Sequence, residues 1–173
     1  MTDEQLRIRG YLQAQGAKLA PAELVERVRA AMGQLRETVT AVAAARFNER
    51  PATDEWSANE VMAHVVTTGA RFGERITGAL DGHAPGAPVA DVIERGAPEH
   101  TADEWWSIFA AERETLFARV LAADPAEHLD RVIEHPFFGL LNWRETLLFL
   151  RLHDLDHAGQ LQKIAAALST ESR

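Results

Sequence analysis

Apolar residues recur at three- and four-residue intervals through long stretches of this chain, and no run alternates β-branched with polar residues. Glycine and proline gather in a few places between those stretches, which predicts an all-α protein. The first main helix runs from Pro21 or Ala22 to about Arg46, with proline suited to its first turn and Glu23 and Glu26 following. The second starts at Ser57, which forms an S-x-x-E capping box with Glu60, and runs to about Leu80, before Asp81-Gly82. The third starts near Thr101, paired with Glu104 in the same way, and runs to about Ala122, before Asp124-Pro125. The fourth begins at about Asn142, an N-cap with Glu145 three residues on, and runs to about Leu168. Residues 3–16 suit a shorter leading helix.

The connection Asp81–His100 holds three prolines and three glycines, too long for a simple turn, and is expected to cross over one end. The connection from Asp124 to Leu141 is also long. There is no internal repeat and no low-complexity tract. Four helices of about twenty residues or more with two long connections predict a four-helix bundle. Its 173 residues are expected to form a single domain, 1–173.

The histidines change this bland picture. Of seven, His83, His100, His128 and His135 fall in or beside loops, and His64, His153 and His157 fall within helices. On the fourth helix Trp143, Thr146, His153, His157, Leu161, Ile164 and Leu168 all lie within about 60° of Leu150. The core-facing stripe therefore carries two imidazoles, about 6 Å apart along the axis, and two so placed can share one metal ion. Position 154 is Asp, so the H-E-x-x-H general base is absent. The paired Glu-x-x-His motifs of di-iron bundles are absent too. His64 lies roughly 120° from the apolar centre of the second helix, beside Glu60, Thr68, Arg71 and Arg75. Periodicity alone makes it a wet flank residue; the same strip could instead line a polar cleft, with Thr68 or Arg71 facing a substrate.

Composition then narrows the chemistry. Net charge is -8, from 18 Lys+Arg against 26 Asp+Glu, which opposes nucleic acid and anionic lipid as partners. No stretch approaches the roughly 18 consecutive apolar residues of a membrane span. Residues Met1–Arg7 lack the apolar core of a signal peptide, so a cytoplasmic protein is expected. There is no cysteine, so any thiol chemistry needs a thiol brought in as substrate.

Three motifs occur in order: Trp56-Ser57-x-x-Glu60-x-x-x-His64, His135-Pro136-x-Phe138-Gly139-x-Leu141-Asn142-Trp143-x-Glu145-x-Leu147, and His153-Asp154-x-x-His157-x-x-Gln160. Together they resemble the DinB-like superfamily of damage-inducible and YfiT-type proteins, over most of the chain. The resemblance implies a four-helix bundle of unusual connectivity, commonly dimeric. It also implies a divalent metal held by three histidines, at positions matching His64, His153 and His157. Characterised members of that superfamily include transferases of low-molecular-weight thiols, bacillithiol or mycothiol, and a thiol-dependent maleylpyruvate isomerase.

Three imidazoles on one ion leave an open position, the mark of a catalytic rather than a structural site. That position can lower the pKa of a bound water or hold a substrate thiol as thiolate. The donor set suits zinc or nickel, with iron or manganese as other options. The expectation is a metal-dependent enzyme transferring a small thiol to an electrophile; the alternative is a metal- or ligand-binding stress-response protein without turnover. Asp154 and Asp156 are expected to be solvated or salt-bridged, or else to orient an imidazole. Gln160 could touch a bound ligand. Trp56, Trp143 and Phe138 read as core or cap-packing residues. Leu148, Leu152 and Leu155 form a second apolar stripe, to be covered by the leading helix or by a second copy in a homodimer.

Overall fold

The computed structural model describes residues 1–84, 86–89 and 96–170. It contains five α-helices: α1 (Asp3–Lys18), α2 (Pro21–Ala41), α3 (Ala58–Leu80), α4 (Ala102–Leu121) and α5 (Trp143–Thr170). Two short strands, β1 (Ile133–His135) and β2 (Gly139–Leu141), form an antiparallel hairpin before α5, with Ile133 opposite Leu141 and His135 opposite Gly139. The sequence patterns predict neither strand, because three residues are too few for a period to register. Among the described residues, no helix is long and apolar enough to cross a membrane.

The bundle is a ring in which α5 packs on α2 and α3, and α4 closes the other side against the same two helices. Helices α2 and α3 are thus successive in sequence but sit diagonally, and the segment between them must cross the bundle. The capping signals explain where the helices begin. Ser57, Thr101 and Thr2 each accept a hydrogen bond from a backbone N–H in the first turn, and Glu60, Glu104 and Gln5 reciprocate. Asn142 does the same for α5: its Oδ1 accepts from the N–H groups of Arg144 and Glu145, while Glu145 accepts from its own N–H. Helix α2 stops at Ala41, short of the expected Arg46, although the alanine-rich sequence favours continuing. Val42 and Phe47 are both buried, and the chain leaves the helix to seat them, with a 3₁₀ turn at Ala44–Arg46. The expected crossover between Asp81 and His100 lies partly outside the described residues.

Helix α1 lies against α5 outside the four-helix ring. Leu148 of the second stripe is fully buried within this one chain, while Leu152 and Leu155 are half-buried. Arg144 fixes that arrangement from beneath. Its buried guanidinium donates to the backbone carbonyls of Gly16, Leu19 and Pro125, so one cation serves the last turn of α1, the link to α2 and the loop after α4. Gly16 leaves room for the close approach, since a Cβ there would meet Glu145 Cγ at 3.0 Å. Removing the cation strands buried carbonyls, each costing ~1–3 kcal/mol. Arg144→Met is therefore expected to lower the melting temperature by about 6–12 °C, at ~2–4 °C per kcal/mol. Arg144→Lys, which cannot span three acceptors with a planar fork, should recover only part of it; thermal melts of both variants check this.

Candidate metal centre

His64 on α3 and His153 and His157 on α5 converge, with one ring nitrogen from each lying within 4.8 Å of the other two. The α5 stripe is buried as its periodicity predicts: Leu150, Leu161, Ile164 and Leu168 fill the core and the two histidines sit between them. His64 is not a wet flank residue. It is half-buried, and its Nε2 lies 3.1 Å from His153 Nε2. The helical wheel puts it on the flank of the apolar face of α3 beside Thr68, and that flank is turned toward α5 and Trp56 rather than toward water.

Each imidazole meets a polar group at its other nitrogen. Thr68 Oγ1 is 3.4 Å from His64 Nδ1, Gln160 Oε1 is 2.9 Å from His157 Nδ1, and Asp154 Oδ1 is 3.9 Å from His153 Nδ1. The amide oxygen of Gln160 keeps the His157 proton on Nδ1, which presents its Nε2 lone pair to the common centre, whereas the buried His153 Nδ1 has Asp154 nearby but beyond hydrogen-bond reach. Gln160 thus holds a histidine rather than facing a ligand. Asp154 is salt-bridged, as one of its expected readings had it. It is fully buried, and its Oδ1 accepts from Arg113 of α4 at 2.8 Å. Arg113 reaches it across the ring past Gly69, where a Cβ would sit 3.2 Å from the guanidinium, and lies over the Phe109 ring. Asp156 is exposed at the rim.

The donor set fits a divalent ion. Two nitrogens each ~2.0–2.1 Å from a tetrahedral ion lie roughly 3.3 Å apart, close to the His64–His153 separation. Two Nε2 lone pairs facing each other repel unless a proton or a cation lies between them. These three residues could therefore hold a metal.

The nitrogens open onto a chamber of about 480 Å³. Its walls come from Ile8 of α1, Thr68 and Phe72 of α3, the hairpin residues His135–Phe138, and Phe149 and Leu152 of α5. Trp56 lies nearly parallel to His157, centroids 6.4 Å apart, and tilted on His64 at 5.2 Å. It is a site residue, not the packing residue its sequence position suggests, and Phe138 also faces the chamber. Trp143 is core: fully buried, its indole N–H donates to Glu127 O. Arg71 is not among the lining residues, while Thr68 is. His135 ends β1 beside the hairpin turn, as its sequence position suggests, and it is a buried wall residue of the chamber. Its Nδ1 accepts from the N–H groups of Phe137 and Phe138, and its ring stacks on Phe72 and Phe138. Gly139, at φ 70, closes the turn in a conformation that favours glycine. The His-Pro-x-Phe-Gly motif was the available signal.

A family model of the DinB superfamily matches residues 25–161. The chain belongs to the DinB superfamily. A relative in Bacillus subtilis (strain 168), described as uncharacterized protein YuaE, is 27% identical over 134 residues, covering 69% of this chain and 83% of that one. Among solved structures, TT2238, a four-helix bundle protein, matches with a TM-score of 0.63 at 19% identity, over 83% of this chain and 99% of its own. The mycothiol-dependent maleylpyruvate isomerase matches with a TM-score of 0.63 at 14% identity, over 84% of this chain and 62% of the isomerase. This chain thus spans less than two thirds of that enzyme, and at such identities the likeness is one of fold.

In this DinB-superfamily site, burial, with His153 and His64 close by, lowers the His157 pKa from 6.5 to about 4, against smaller opposing effects of Gln160 and Asp156. The ring is therefore neutral at pH 7, as ligation requires. The unfolded chain takes up this proton near pH 6.5 and the folded chain only near 4. Stability is thus complete above the unfolded value and is lost as pH falls through the folded one. Chelator-treated protein is expected to melt progressively lower between pH 6.5 and 5, where carboxylates contribute little. His157→Gln should flatten that slope in the same thermal melts.

Proposed function

We propose that this chain is a divalent-metal-dependent enzyme that transfers a low-molecular-weight thiol to an electrophilic small molecule. The observation that carries the reading is the convergence of three imidazole nitrogens within 4.8 Å at the base of an open chamber, in a chain without cysteine. The mycothiol dependence named for the structurally similar isomerase supports a thiol as co-substrate. Zinc or nickel suits the three-nitrogen donor set best. Held by His64, His153 and His157, the ion would act as a Lewis acid that favours the thiolate form of a thiol.

The chain's own residues supply the rest. Thr68 and Gln160 hold His64 and His157 in their orientations, and the Arg113–Asp154 pair stands behind His153. Trp56 covers two of the imidazoles and shields them from bulk water. The aromatic walls give the electrophile a place beside the nitrogens. A homodimer belongs to the same proposal, carried by the half-buried Leu155 on the outer stripe of α5.

The test is thioether formation between a panel of small thiols and 1-chloro-2,4-dinitrobenzene, in which a sulfur–carbon bond forms, chloride leaves and the thiol proton goes to solvent. Zinc- or nickel-loaded protein is expected to accelerate it, with at least one thiol of the panel strongly preferred. His153→Ala should lose about a hundredfold or more of that rate. Metal uptake with no turnover across the panel would instead establish the binding-only alternative.

A further inference from the structure

The chamber above the three imidazoles has a composition unlike that of a site for a charged metabolite. Five of its wall residues are the aromatics Trp56, Phe72, Phe137, Phe138 and Phe149. Phe149 is tilted against Phe72 at 4.9 Å and against Phe138 at 6.1 Å, so three rings form a corner rather than a filled stack. The His135 ring completes that corner, edge-on to Phe149 at 4.2 Å. Its Nδ1 accepts from two backbone N–H groups, which turns a ring face toward the neighbouring phenylalanines. Among the described lining residues none is Lys or Arg, and the one formal charge is the carboxylate of Asp156.

These facts bear on what can bind. A carboxylate, phosphate or sulfonate held against these described walls, away from the imidazoles, would lose its hydration without gaining a counter-cation from them. A flat apolar group meets the opposite situation. Phe149 and Leu152 remain only partly buried where α5 borders the chamber, and Phe137 is 49% exposed. An aromatic occupant would cover that surface with offset or edge-to-face contacts. The volume of about 480 Å³ lies in the range of drug-sized ligand sites, far more than a bare thiol needs.

We infer that the organic ligand of this site is an uncharged molecule with an aromatic or similarly flat apolar body, seated in the Phe72–Phe138–Phe149 corner with its reactive end toward the imidazoles. This rests on the reading of the chamber as the substrate site in the proposed function, and it names the class of electrophile that function would use. Phe149 and Phe137 are then specificity-determining residues that need not affect metal binding.

The test uses two fluorescent probes that share their rings and differ by one sulfonate: neutral N-phenyl-1-naphthylamine and anionic 8-anilino-1-naphthalenesulfonate. Both are titrated into chelator-treated and zinc-loaded protein. In the chelated protein the neutral probe is expected to bind at least tenfold more tightly than the sulfonate. Phe137→Ser, at a half-exposed position, should weaken it about tenfold while leaving the melting temperature and zinc uptake unchanged. Phe149→Leu, which keeps the apolar volume, should weaken it severalfold. The inference is overturned if the chelated protein binds neither probe, binds the sulfonate equally well, or shows no response to either variant. Neutral-probe binding without any thiol turnover would sustain this inference and count against thiol transfer. Turnover that treats 4-nitrobenzyl chloride and iodoacetate alike, after correction for their intrinsic reactivity, would do the reverse.

Discussion

Helix α5 must bury two imidazoles on its core-facing stripe, and the surrounding structure is arranged around that demand. A buried polar ring is costly unless its nitrogens find partners. Two outer nitrogens are met locally, by Thr68 one turn on from His64 and by Gln160 one turn on from His157, while Asp154 lies 3.9 Å from the third, on His153, without bonding it. Asp154 in turn is a fully buried carboxylate, and its charge is met by Arg113 from the diagonal helix. That pair is worth little as net stability, but loss of either partner would leave an uncompensated charge in the core. What remains is a set of inner nitrogens gathered at one point, one of them on His157, whose ring burial holds neutral.

The elements outside the four-helix ring have a shared purpose. Helix α1 and the β1–β2 hairpin lie outside the four-helix ring, yet Ile8 and residues 135–138 form much of the chamber wall. Arg144 ties the end of α1 to α5 through backbone carbonyls, so the wall is held by the same helix that carries two of the histidines. His135 shapes its own turn by accepting two backbone N–H groups and lends its ring face to the chamber. The result is an aromatic pocket over a polar base, the usual division of labour in small-molecule sites.

Much of this was legible in the sequence, for identifiable reasons. Capping boxes mark helix starts directly, and those at Ser57 and Thr101, together with Asn142, fall where the helices α3, α4 and α5 begin. The stripe on α5 was readable because four-residue spacing puts His153 and His157 in line with Leu150 and Leu161. His64 was not readable by the same means, since it sits on the flank of the apolar face of α3; only the ordered motifs drew attention to it. The Arg113–Asp154 pair joins residues 41 positions apart and leaves no periodic trace. Trp56 and Phe138 look like packing residues in one dimension, and their role as walls exists only once α3, the hairpin and α5 are brought together.

The most direct measurement of the central claim is X-ray absorption at the zinc edge on untagged, zinc-loaded protein, with and without a bound small thiol. The account predicts three imidazole nitrogens at ~2.0–2.1 Å with one light atom completing the shell, and replacement of that atom by a single sulfur at ~2.3 Å when the thiol is added. An oxygen-only shell without imidazole scattering, or a shell that does not change with thiol, would contradict it.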